Sequence, residues 1–169
     1  MESYIKTFDD APLEEVITYF LYMCEFEYLN IDEVNYLKNR INSELENESD
    51  VANEIQNMPI ESIGTLVSYI ANEVLKIPNP PRVKESFPVL KYIFTQITGA
   101  FMEKEIDILD YSEIVLSMEG LCFEQKFDQD WISPLARKLD FDDEEYNLEM
   151  TEDIMNEIRS TLDRISFYQ

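Results

Sequence analysis

Histidine is missing altogether from this 169-residue chain. Its absence removes the Ser-His-Asp and Cys-His nucleophile systems, the usual zinc ligand sets, and the commonest proton-transfer group near neutral pH. Cysteine is almost as scarce. Cys24 and Cys122 cannot build a disulfide scaffold, and Cys24 falls on an apolar helical stripe, where a buried free thiol is the ordinary reading. Glycine occurs only at Gly64, Gly99 and Gly120, too few for a sheet protein rich in tight turns. Neither GxxxxGK[ST] nor GxGxxG is present, so no glycine-rich loop can cradle a phosphate. No apolar run approaches the roughly 18 residues of a membrane span, and the opening MESYIKTFDD lacks the basic and apolar stretches of a signal peptide. These gaps predict a cytoplasmic protein that is not an enzyme, with no cofactor, no bound metal and no membrane partner.

What the chain does contain is apolar residues and acid. Hydrophobic residues make up 45% and aromatics 12%, enough to argue against disorder. A chain of this length buries roughly 70% of its unfolded surface without staples. It does so against a formal charge of −23, which favours solubility but opposes compaction by self-repulsion.

Helical spacing recurs along the chain and predicts an all-α fold of about seven or eight helices. The expected organisation is one acidic globular domain spanning 1–169, its helices in two groups separated near 77–82. Asp10 is the expected N-cap of a helix with Leu13, Val16, Ile17, Phe20, Leu21 and Cys24 on its apolar face. Asn30 and Glu33 resemble a capping box before Val34, Leu37, Ile41 and Leu45. A short polar helix is expected over 50–57. Pro59 opens a helix with Ile63, Leu66, Val67, Ile70 and Val74 inward, stopped by IPNPPR at 77–82. Ser86 and Pro88 start a helix burying Leu90, Ile93, Phe94, Ile97 and Phe101. Asp110 and Glu113 form a second capping-box pair, with Gly120 as the residue just past a short helix. Ser133-Pro134 begins a brief helix to about Leu139. Thr151 caps the last one, with Ile154, Met155, Ile158, Leu162 and Ile165 toward the core. Two segments, 3–8 and 105–109, alternate enough to suit short strands.

The charge is unevenly spread. Between Lys76 and Met102 four bases meet a single acid, so the remainder of the chain carries −26. The densest acidic block holds Asp128, Asp130, Asp140, Asp142, Asp143, Glu144, Glu145 and Glu149, with Trp131, Phe141 and Tyr146 among them. A solvated face is the plain reading of any one acidic cluster. Here the mixture of rings and carboxylates, mostly between helices, suits capture of a basic protein surface: rings anchor, and acids speed encounter. The expected partner-binding residues are therefore Asp128, Asp130, Trp131, Asp140, Asp142, Asp143, Glu144, Glu145 and Tyr146, with core packing the competing use of Trp131. Asp140, Asp142 and Glu144 imitate calcium-loop positions, but Glu145 stands where glycine is needed and Thr151 where the bidentate glutamate belongs. Direct binding of nucleic acid would meet net repulsion from the phosphates.

In size, helical content, lack of a catalytic set, and acid-aromatic runs such as Asp140-Phe141-Asp142-Asp143-Glu144-Glu145-Tyr146, the chain resembles bacterial toxin-immunity proteins of the contact-dependent-inhibition and colicin type. The resemblance implies an antitoxin that forms a tight one-to-one complex with a cognate toxin or nuclease domain and masks its active site. Two further readings stay open: a DNA mimic that blocks a restriction or CRISPR nuclease, and a HEAT-like helical interaction scaffold.

Overall fold

The computed structural model describes residues 10–29, 31–44, 57, 59, 62–140 and 151–167. Among them are seven helices and no strand. The 105–109 stretch is a turn leading into a helix, while 3–8, Asn30, Leu45 and nearly all of the expected 50–57 helix lie outside the described residues. The chain divides into two compact units, Met1–Arg82 and Val83–Gln169. Their boundary falls where IPNPPR ends, since prolines at 78, 80 and 81 supply no backbone donor for a continuing helix.

The first unit holds α1 (Leu13–Glu25), α2 (Ile31–Glu44) and α3 (Ile63–Tyr69), which runs straight into a π-helical turn over Ile70–Leu75. Pro12, not Asp10, is the last residue before α1, and no side chain caps it; the Pro12 carbonyl accepts from Glu15 and Val16 at 3.0 and 3.2 Å. The spacing predicts a one-sided stripe on α1, yet every residue from Val16 to Met23 is buried. The reason is partners on more than one side. The helix α3 and its π turn pack on α1, and α2 is joined to it where the Tyr19 hydroxyl donates to Glu33 Oε1 at 2.7 Å. Arg40 ties the same helices at their ends, donating to the Ala11 carbonyl and pairing with Glu44, both at 2.6 Å. The π turn also alters the expected face of α3. Its wider turn rotates the side-chain phase, so Ala71 goes inward and Val74 stays 46% exposed.

The second unit closes four helices into a ring: α4 (Val83–Met102), α5 (Ile108–Glu124), α6 (Ser133–Leu139) and α7 (Glu152–Phe167). Each packs on the next, and α7 returns to α4. In α4 the backbone leaves helical geometry at Ser86 (φ −110°, ψ 15°). Regular helix follows, with Pro88 in its first turn, where its missing N–H costs least. The first turn ahead of that kink is held from outside, because Gln125 Oε1 accepts from the Val83 amide at 2.5 Å. The start and end of α5 differ from expectation. Asp107 caps it, accepting from Leu109 and Asp110 amides at 2.8 and 3.0 Å, and the helix runs through Gly120 to Glu124. In α7, Thr151 Oγ1 accepts from the Ile154 amide as an N-cap should. Ile154, Ile158 and Ile165 are buried as expected, Met155 and Leu162 only half so. Thr161 is fully buried as well, its hydroxyl accepting from Arg164 at 2.7 Å.

Four helix ends share one solution. Glu27, Lys76, Lys104 and Lys126 all take left-handed backbone, with φ between 53° and 62°, and no glycine does. After α1, α4 and α5 the paired bonds are those of a Schellman turn: Tyr28 to Met23 and Glu27 to Cys24, Glu105 to Ala100 and Lys104 to Phe101, Phe127 to Cys122 and Lys126 to Phe123.

Candidate functional site

Of the acidic block, Asp128, Asp130, Trp131 and Asp140 are described; Asp142, Asp143, Glu144, Glu145, Tyr146 and Glu149 lie outside the described residues. Asp128 and Asp130 share the turn between α5 and α6, where Asp128 Oδ1 accepts from the Asp130 amide at 3.0 Å. Both residues are exposed. Asp140 is exposed at the far end of α6, a helix of seven residues. At about 1.5 Å per residue, that helix keeps Asp140 apart from the Asp128–Asp130 turn by about 10 Å. The structure thus brings two of the expected residues together and sets a third at a distance. The bases of the block do not form a cluster of their own: Lys138 is paired with Asp153 at the start of α7, and Arg137 is exposed.

Trp131 is a correction. Its side chain is fully buried, with its ring edge-on to Phe87 at 5.4 Å and to Phe94 at 5.6 Å, and Phe127 stacks obliquely on Phe87 at 4.9 Å. An aromatic that fills the core of the second unit cannot anchor a partner. The signal for this was present: Trp131, Leu135 and Leu139 recur every four residues, and all three are buried. Arg164 reinforces the placement, donating to the Trp131 carbonyl at 3.2 Å and to Glu157 at 2.6 Å.

Close to the turn lies Cys122. Burial pushes its thiol up to about 12; the Trp131 indole N–H works against that rise, and the Glu119 and Asp128 carboxylates add to it. The indole Nε1 has no hydrogen-bond partner among the described residues. Burial, then Glu25, also raises Cys24, to about 11. Nucleophilic chemistry needs a thiolate, and both environments oppose one. Among the described residues no group of three Cys, Asp or Glu side chains could hold a metal ion, and no helix is long and apolar enough to cross a membrane.

What the described surface offers is carboxylate. Of 24 described acids, 21 are exposed, the exceptions being Glu33, Glu119 and Glu157. The two units share the excess: 16 acids against five bases in the first give −11, and 20 against eight in the second give −12. Sequence reasoning also missed one surface. On α5 the side away from the core carries Leu109 at 55% exposure and Phe123 at 68%, with half-buried Leu116 midway between them. Their spacing of seven was legible, but the expected short helix ending at Gly120 hid it. No protein-family model, curated protein or solved structure matches this chain.

Proposed function

We propose that this protein is a non-catalytic inhibitor that binds and neutralises a basic partner, specifically an immunity protein against a cognate nuclease toxin. The observation that carries the reading is that 21 of 24 described acids face solvent in a chain of net charge −23. Acids used only for capping or internal pairing would not need that excess. A nuclease must be basic to hold a nucleic acid backbone, so its inhibitor gains from a field of the opposite sign. Steering of that kind brings association toward about 10⁸–10⁹ M⁻¹s⁻¹ at low salt. Within this reading Asp128, Asp130, Asp140, Asp142, Asp143, Glu144 and Glu145 are the attracting carboxylates, and Tyr146 the aromatic contact.

The test is recovery of the tagged protein from its native cell at low salt. One basic nuclease domain at equal stoichiometry, released by high salt, is the expected outcome. Replacing the seven attracting carboxylates by Asn and Gln should leave folding intact and slow association with the partner at least tenfold. Equal rates for parent and variant would reduce the block to a solvated face, and recovery of no salt-sensitive partner would remove the inhibitor reading.

A further inference from the structure

Among the described residues, α5 carries apolar residues on two faces, one of them fully buried in the core and the other only partly covered. The inward face of α5 carries Tyr111, Ile114, Val115, Met118, Leu121 and Cys122, all buried. On the opposite side, at steps of seven, stand Leu109, Leu116 and Phe123, with Gly120 in the same stripe. A helix that is apolar all round is normally covered all round. Here two of the largest exposed apolar side chains of the second unit lie together on one stripe of one helix. Gly120 adds a separate indication. It sits mid-helix with helical backbone, and a Cβ built there meets nothing within 4 Å. Neither turn geometry nor packing among the described residues requires a glycine here, as is also true of Gly99 in α4, although glycine weakens a helix interior by roughly 0.5–1 kcal/mol relative to alanine. Close approach by another backbone would use it.

Charge decides what that other chain is. Asp110, Glu113 and Glu124 are exposed along one side of the stripe, and none forms an ion pair with a described base. A second copy would bring the same acids and a further −23 against them, which opposes self-association. A cationic partner would gain from both features. We infer that the outer face of α5 is a docking face for a basic amphipathic helix of a partner protein, with Leu109, Leu116 and Phe123 taking its apolar side and Asp110, Glu113 and Glu124 its cations. This rests on the reading of the protein as a binder of basic partners, and it names residues outside the acidic block of the sequence. Helix-on-helix packing of apolar side chains at steps of three, four and seven is the physics involved.

The experiment uses the full chain and a synthetic peptide of about 15 residues, long enough to span four helical turns, with leucine along one face and lysine elsewhere. An otherwise identical peptide with glutamate for lysine is the control. Fluorescence anisotropy of the labelled peptides gives affinity. The lysine peptide should bind and the glutamate peptide should not. Leu109→Ser with Phe123→Ser should weaken binding at least tenfold, and Asp110→Asn, Glu113→Gln and Glu124→Gln together should weaken it severalfold and flatten its salt dependence. Gly120→Gln is the second variant, because it fills open space without touching the core; it too should weaken binding at least tenfold. Equal affinity for the parent, the double-serine variant and Gly120→Gln would overturn the inference, as would a concentration-dependent dimer in sedimentation that needs Phe123. The two proposals fail separately. If the partner recovered from the cell binds the serine variant as tightly as the parent, the α5 face is wrong and the inhibitor reading stands. If no salt-sensitive partner exists but the peptide still binds through Leu109 and Phe123, the α5 face stands and the inhibitor reading falls.

Discussion

Cys122 is where a single residue ties stability to pH. Its thiol is fully buried and raised to about 12, whereas an unfolded cysteine ionises near 8.5. Below that value the thiol is neutral in both states, and its contribution is fully present. As pH rises past it, the unfolded chain loses a proton that the folded chain keeps, so stability falls until the folded thiol also ionises. The slope is at most about 1.4 kcal/mol per pH unit. Urea unfolding at pH 7, 9 and 10 should therefore show a steeper alkaline loss for the parent than for Cys122→Ala. Parallel profiles would mean that the thiol titrates normally. Trp131 belongs to the same scale: a ring of its size gains most by complete burial against Phe87 and Phe94, at the cost of an indole N–H with no hydrogen-bond partner among the described residues.

At the scale of elements, this chain places glycine where helices do not need it and omits it where they do. Gly120 lies inside α5 in open space, while Lys104 and Lys126 take the left-handed positions that close α4 and α5. Lysine at a helix C-terminus gains about 0.3–1 kcal/mol from the dipole, and it sacrifices roughly 1–2 kcal/mol to left-handed backbone. Two substitutions test this. Gly120→Ala should stabilise the free chain by about 0.4–1 kcal/mol. Lys126→Gly should stabilise it by up to about 1 kcal/mol, once glycine's own entropy is subtracted. Thermal unfolding monitored by circular dichroism measures both; a lower Tm for Lys126→Gly would mean that its charge matters more than its backbone. The ends of α5 were hard to read in the sequence for the same reason. Asp110 with Glu113 fits a capping box, but Asp107 is the residue whose carboxylate meets the free amides. Gly120 reads as a terminus only if glycine is assumed at every left-handed position.

For the molecule as a whole, the net charge of −23 divides almost evenly, −11 and −12, between the two units. Each unit therefore folds against its own repulsion, and the screening length of about 8 Å at physiological salt is short compared with either unit. Raising NaCl from about 10 mM to about 0.5 M, where screening shortens from roughly 30 Å to a few Å, should raise Tm by several degrees. A Tm that falls with salt would show that ion pairs such as Arg40–Glu44 and Arg164–Glu157 outweigh the repulsion.

By itself the sequence determined the helical class, the break at 77–82, and most of the inward positions of α2, α4 and α7. Those follow from periodicity and from proline chemistry, which act within one helical turn or one peptide bond. It also determined the formal net charge, which is a count of acidic and basic side chains. Only the tertiary structure decided the rest. Whether α1 is covered on one face or several depends on α2 and α3, and whether Trp131 lies inside depends on Phe87 and Phe94, more than 35 residues away. The π turn after α3 and the outer stripe of α5 have the same origin. Which apolar stripe becomes core and which is left facing water is settled by the number of neighbours a helix acquires, and helical spacing carries no record of that number.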